Sequence, residues 1–311
     1  MNTVLTMSDA PDALHRLTAS PSLAKRRIAD RRIAPLDASV EFASSFEDRR
    51  LGGDRRDRFP QWRRVTLGGL PIVVADRAET ARVMVDEALK RRGLWRSPAY
   101  MTSTNGEVTY RCAVDPKERE LFLQADAIHA DGMPHVFVSR FKCDVALPER
   151  VATTDLFHHV AREAVVRGAT MFMLGASEQS NKLATEWVRR TYPDVQLIGA
   201  RHGFFAGVQD EIKACEEISA LAPDILWVSM GVPREQSFIV RHRNRLAGVG
   251  VIKTSGGLFD FLSGSKPRAP LWMQNVGLEW LWRMGLEPRR LGMRYLKTNP
   301  YAMYLLLTQS R

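Results

Sequence analysis

At 311 residues, 45% of them hydrophobic, the chain has room for one large domain with appendages, or two small domains, around a substantial core. A formal net charge of +10 suits anionic partners: nucleic acid, diphosphates or an acidic membrane surface. Three cysteines (Cys112, Cys143, Cys215) without C-x-x-C spacing argue against a disulfide framework or zinc site and for a reducing, cytosolic setting; no run reaches the ~18 apolar residues of a membrane span, and no signal peptide is expected.

Residues 1–60 carry Arg/Asp clusters such as Arg55-Arg56-Asp57-Arg58 and no sustained apolar period, so a basic, disordered arm is expected, either solvated or binding anionic lipid or a partner. A hairpin follows, 65–67 and 70–74 about Gly68-Gly69. Residues 77–92 place Ala81, Met84, Val85, Ala88 and Leu89 on one helical face. A strand at 100–102 ends in Ser103-Thr104-Asn105. Helices at 106–113 and 116–125 come next, and the apolar run 125–128 leads into Asp131-Gly132. From 153 the alternation is regular: helices 153–167, 178–191, 208–221, 233–246 and 257–263, with strands 170–174, 195–198, 225–229 and 249–254. Strands alternating with helices of this length predict an open, parallel α/β sheet. After Gly264 the chain turns basic and aromatic, which suits packing on the domain or lying at a membrane interface.

Ligands of such sheets bind beyond the carboxyl ends of the strands. Small or glycine-containing segments stand there: Ser103-Thr104-Asn105, Asp131-Gly132, Gly175, Gly203, Gly231 through Glu235-Gln236, and Ser255-Gly256-Gly257. Asp131 can act as a base if its surroundings tune it, although Asp-Gly alone also reads as a turn. No G-x-G-x-x-G opens a helix after a strand, and no P-loop or G-x-S-x-G elbow is present. His158 and His159 point to different helix faces, and His202 lies in a glycine-rich loop. Arg283 and Arg290 would share a helix face unless Pro288 interrupts it.

The ordered set Ser103-Thr104-Asn105, Ala130-Asp131-Gly132, Glu149-Arg150-Val151, Gly203-Phe204-Phe205, Gly231-x-Pro-Arg-Glu-Gln, Arg268-Ala269-Pro270-x-Trp272 and Gly277-Leu278-Glu279-Trp280 resembles the WecG/TagA/CpsF family of bacterial glycosyltransferases, over about residues 65–296. The resemblance implies a Rossmann-like parallel sheet flanked by helices (61–265), a C-terminal helical appendage associating with the membrane (266–311) and the arm 1–60. It implies an inverting, metal-independent transferase that needs no cofactor. The enzyme would pass a sugar from a UDP-sugar to a lipid-linked saccharide at the cytoplasmic face of the membrane. Nucleic acid then leaves the list of partners, and a homo-oligomer stays open.

In this reading Asp131 is the general base and Asn105 orients a substrate. Ser103, Thr104, Arg150, Gly175, Gly203, Glu235, Gln236 and Arg268 line the substrate pocket. Arg283, Arg290 and Arg294 close over the UDP diphosphate. Two departures from the family pattern matter. Ser103 replaces a threonine and keeps the hydroxyl. Glu235 replaces an amide, and a carboxylate only accepts hydrogen bonds. The donor is then a hexose or N-acetylhexosamine for exopolysaccharide or a related surface polysaccharide, and Glu235 suggests the plain hexose. The alternatives are an N-acetylmannosamine or N-acetylmannosaminuronate transferase for teichoic acid or common antigen, and a non-catalytic nucleotide-sugar-binding regulator.

Overall fold

The computed structural model describes residues 62–311, apart from the Arg290 side chain; the arm 1–60 lies outside the described residues. Strands β1 (Arg64–Leu67) and β2 (Leu70–Val73) form an antiparallel ribbon. Its turn needs left-handed backbone at both Gly68 (φ 56°) and Gly69 (φ 78°), which glycine adopts without steric cost. Helix α1 (Arg77–Arg91) is capped by Asp76, whose carboxylate accepts from the Glu79 N–H at 2.7 Å. Then come β3 (Ala99–Thr104), α2 (Gly106–Val114), α3 (Pro116–Leu123), β4 (Ala127–Ala130), α4 (Met133–Lys142), α5 (Thr153–Arg167), β5 (Thr170–Gly175), α6 (Glu178–Thr191), β6 (Gln196–Arg201), α7 (Val208–Leu221), β7 (Ile225–Ser229), α8 (Arg234–His242), β8 (Val251–Thr254) and α9 (Leu258–Leu262). The tail holds α10 (Leu271–Asn275), α11 (Glu279–Leu286) and α12 (Pro288–Thr308).

Six strands make one parallel sheet in the order β4-β3-β8-β7-β5-β6. Both faces are covered, so β5 and β7 read as near-continuous apolar runs rather than alternating ones. In β7, Ile225 and Trp227 join the core with Phe157 and Val160 of α5, while Leu226 and Val228 join Ile218 of α7 and Phe238 and Ile239 of α8. Each such side chain, fully buried, contributes about 1.5–3 kcal/mol.

A third apolar cluster joins the ribbon to α2, α4 and the tail, with Leu67, Ile72, Val108, Val136 and Leu306 among its members. Arg311 exchanges backbone hydrogen bonds with Thr66 of β1 at 2.9 and 3.0 Å, so the last residues pair with the first strand. Of the sequence Tyr301–Leu307, Ala302, Leu305 and Leu306 are buried, while Tyr301, Met303, Tyr304 and Leu307 stay exposed.

Helix α4, which follows Asp131-Gly132, has no counterpart among the expected elements; Pro134 sits in its first turn, where a missing N–H costs nothing. Three expectations are corrected. The helix expected over 233–246 ends at His242 and continues as a 3-10 turn over Arg243–Leu246. The strand expected over 195–198 runs through Gly199 to Arg201; a Cβ on Gly199 would stand 2.5 Å from the Phe172 ring. Arg283 and Arg290 share no helix face, because the chain leaves helical geometry at Glu287 and Pro288 opens α12.

Candidate active site

A parallel sheet delivers all its carboxyl ends to one edge, and the end of β4 supplies Asp131. Its N–H donates to the Thr104 carbonyl at 2.8 Å, which locks it beside the end of β3. Its Oδ2 accepts from the Thr153 N–H at 3.4 Å and the Thr153 hydroxyl at 3.3 Å. Crowding by protein pushes the carboxyl above the ordinary carboxylate range. Arg150, the Thr153 N–H and Lys253 pull the other way, and Glu279 adds to the rise. A carboxyl with its proton affinity raised in this way is better matched to general-base work than a free carboxylate.

Around it, the predicted residues divide. Ser103 Oγ accepts from Lys253 Nζ at 2.8 Å and lies 3.4 Å from Thr153 Oγ1. Thr104 does not line a pocket: it is buried, with its hydroxyl 3.4 Å from that of Thr109. Asn105 is exposed at the cleft and caps α2, its Oδ1 accepting from the Val108 N–H at 3.1 Å. Gln236 is buried, its amide nitrogen 3.4 Å from the Thr102 hydroxyl. Gly175 and Gly203 serve backbone packing. A Cβ on Gly175 (φ 135°) would meet the Ser229 carbonyl at 2.2 Å, and one on Gly203 would meet Gly175 Cα at 2.9 Å.

The tail side of the site is a polar lattice. Arg150 donates to Glu279 Oε2 at 2.9 Å and to Gln274 Oε1 at 3.0 Å. Arg268 bonds Asp155 and donates to the same Gln274 oxygen at 2.6 Å. Gln274 Nε2 donates to the Ala269 carbonyl at 2.7 Å. One buried amide thus ties two arginines to the start of the tail. Arg283 lies over the Phe261 ring, 5.6 Å from its centroid. Arg294 pairs with Glu107 at 3.0 Å, at the first turn of α2. The Arg290 side chain lies outside the described residues. Among those residues, no three His, Cys, Asp or Glu side chains gather as a metal site.

Residues 65–311 match the family described as "Glycosyl transferase WecG/TagA/CpsF family". The chain belongs to that family. Among the relatives of this WecG/TagA/CpsF member is the N-acetylglucosaminyldiphosphoundecaprenol N-acetyl-beta-D-mannosaminyltransferase of Bacillus spizizenii, 30% identical, with the match covering 62% of this chain and 73% of the relative. Proteins of the same name from Bacillus subtilis (28% identical; 67% and 79% covered) and Staphylococcus aureus (27%; 68% and 81%) also match.

Glu235 takes a different place in this family member from the one expected. It is buried, and its Oε2 accepts from the backbone N–H groups of Met230 (3.2 Å), Gly231 (3.2 Å) and Gly256 (2.9 Å). It clamps the loops after β7 and β8 together. Its acceptor capacity is spent on the chain, which removes the ground for a plain-hexose donor. The histidines singled out in the sequence stand outside the site. His158 bonds the Tyr192 hydroxyl at 2.7 Å, and His202 accepts from the Phe204 N–H at 3.3 Å.

Sequence reasoning missed Lys253, Thr153 and Gln274. Only Lys253 left a signal, a lone cation in the apolar run Val249 to Thr254; lysine is almost never fully buried without a partner.

Proposed function

We propose that this glycosyltransferase transfers N-acetylmannosamine, with inversion, from its UDP-sugar to a polyprenyl-diphosphate-linked saccharide in surface-polymer assembly. One observation carries the chemistry: Asp131, at the end of β4, holds one carboxylate oxygen on Thr153, and among the described residues nothing engages the other. In the proposed step the acceptor hydroxyl oxygen attacks the anomeric carbon from the face opposite UDP. The bond from that carbon to the diphosphate oxygen breaks, and its electrons leave with UDP. The hydroxyl proton goes to Asp131. Charge developing on the diphosphate is met by tail arginines, with Arg283, unpaired to any acid among the described residues, foremost, and no metal ion is assigned a part. The donor follows the names of the relatives, and the loss of Glu235 as a sugar contact leaves nothing against it.

A lipid-linked acceptor is supported by an apolar groove of about 360 Å³ between α4 and α12, lined by Phe137, Phe141, Val276, Met303 and Leu307. It begins at Pro134, three residues after Asp131, and runs about 10 Å along the helix. Phe141 is 85% exposed at its far end. Among the described residues no helix is long and apolar enough to cross a membrane. The exposed Leu271, Trp272, Met293 and Leu296 beside Arg289 and Lys297 suit adsorption to an anionic membrane face from the cytoplasmic side.

The deciding assay is UDP release from a panel of UDP-sugars, with a polyprenyl-diphosphate N-acetylglucosamine acceptor. Turnover confined to UDP-N-acetylmannosamine and lost in Asp131→Asn supports the proposal. Turnover with UDP-glucose instead refutes the donor, and turnover retained in the variant refutes the base.

A further inference from the structure

Lys253 lies in β8, near the middle of the sheet, paired with Met101 of β3 on one side and Trp227 of β7 on the other. Its side chain is fully buried. Nothing in the proposed transfer step uses it, yet an ammonium in such a place is costly unless something requires its charge. It makes no ion pair at salt-bridge distance among the described residues. Its Nζ donates instead to Ser103 Oγ at 2.8 Å and to the Thr254 carbonyl at 2.9 Å.

The Ser103 contact leads onward. Ser103 Oγ is 3.4 Å from Thr153 Oγ1, and Thr153 Oγ1 is 3.3 Å from Asp131 Oδ2. The two ends fix the direction of this chain. An ammonium can only donate and a carboxylate can only accept, so each hydroxyl between them donates toward Asp131. The charges around Asp131 fall into two sets. Arg150 faces it, but Arg150 is bonded to Glu279, which also faces it and opposes it. Lys253 is the cation left over. Lys253 is itself faced by Asp131 and by the buried Glu235, and beside it the imidazole of His129 is held neutral, pushed down to about 3 by burial first and by Lys253 second.

We propose that Lys253 is a positioning residue for Asp131: through Ser103 and Thr153 it aims the carboxylate, and its charge, shared between Asp131 and the buried Glu235, keeps the Asp131 carboxylate ready to accept a proton. The proposal rests on Asp131 being the base. It is not a claim that Lys253 touches substrate.

The test is the pH dependence of kcat/KM for the full chain with the donor and acceptor named above, in wild type, Lys253→Met, the double variant Lys253→Met/Glu235→Gln, and Asp131→Asn. Lys253→Met leaves Glu235 buried without a balancing cation and is the variant at risk of misfolding. The double variant removes both charges and keeps the measurement available. In each folded variant the acid limb of the profile is expected to move up by about one pH unit, so that activity on the limb falls about tenfold relative to the plateau. A merely structural lysine would lower the whole profile without moving the limb. An unmoved limb in the double variant, with turnover still abolished by Asp131→Asn, overturns the role of Lys253 alone. Turnover surviving in Asp131→Asn overturns the base and this inference together.

Discussion

Asp131 and Arg150 belong to one site and are held in opposite ways. Asp131 stands on the sheet, where its backbone bonds the neighbouring strand end and its carboxylate is reached through a short relay of hydroxyls. Arg150 stands where the tail docks, in a lattice of ion pairs around Gln274, and α11 beyond it has no buried residue. The sheet half is preorganised by packing, which is nearly insensitive to ionic conditions. The tail half is fastened by charge and one amide, so it is the half that can loosen. In the proposed mechanism that division would keep Asp131 fixed on the sheet and leave the arginines assigned to the leaving group to follow the tail.

Substitution of Asp131 by Asn should have the largest effect. A general base contributes about 10²–10⁴ in rate, and turnover should fall by that factor in a UDP-release assay. The same variant sharpens the comparison by its stability. The folded carboxyl titrates above its unfolded value, so ionisation is disfavoured in the fold. Stability is therefore lost as pH rises from the ordinary carboxylate range through the folded value. Asparagine carries no such charge, and the melting temperature at pH 7 should rise.

Gln274→Leu comes next. It takes one acceptor from both Arg150 and Arg268 and leaves the sheet intact. Lost hydrogen bonds to charged groups cost about 1.5–3 kcal/mol each, so kcat/KM should fall about tenfold or more, and limited proteolysis should cut first between α9 and α10. Unchanged proteolysis would break the view of the tail as a polar lock. The smallest effect is that of salt. Raising ionic strength from about 0.05 to about 0.5 M should raise the donor KM a few-fold by screening the half-exposed tail, while the acid limb of the pH profile stays in place. A limb that moves with salt would mean that Asp131 is tuned from the tail and not from the sheet.

The sheet was legible in the sequence because its signal is local. Each of the runs 170–174 and 225–229 is apolar, bounded and followed by a helix, and each became a strand. Helix α4 was hidden by its own start, since Asp-Gly followed by Met-Pro carries the chemistry of a turn. The site was legible at Asp131 and Asn105, which stand at strand ends. At Lys253 the sequence showed only a cation out of place in an apolar run; its partner Ser103, 150 residues away in the chain, was illegible. Glu235 misled for a related reason. Its partners are backbone N–H groups of loops that only the folded sheet brings together, and no residue type announces them.

The pairing of Arg311 with Thr66 sets an order on the making of the protein. The ribbon leaves the ribosome among the first of the described residues, yet the segment that completes its edge and buries Leu67 against Leu306 is among the last. The six-stranded sheet can assemble while synthesis continues, but the ribbon must wait for Leu306 and Arg311 of the tail. The apolar groove beside Asp131 takes Met303 and Leu307 from that same late helix. A chain without α12 would therefore form the sheet but not this groove.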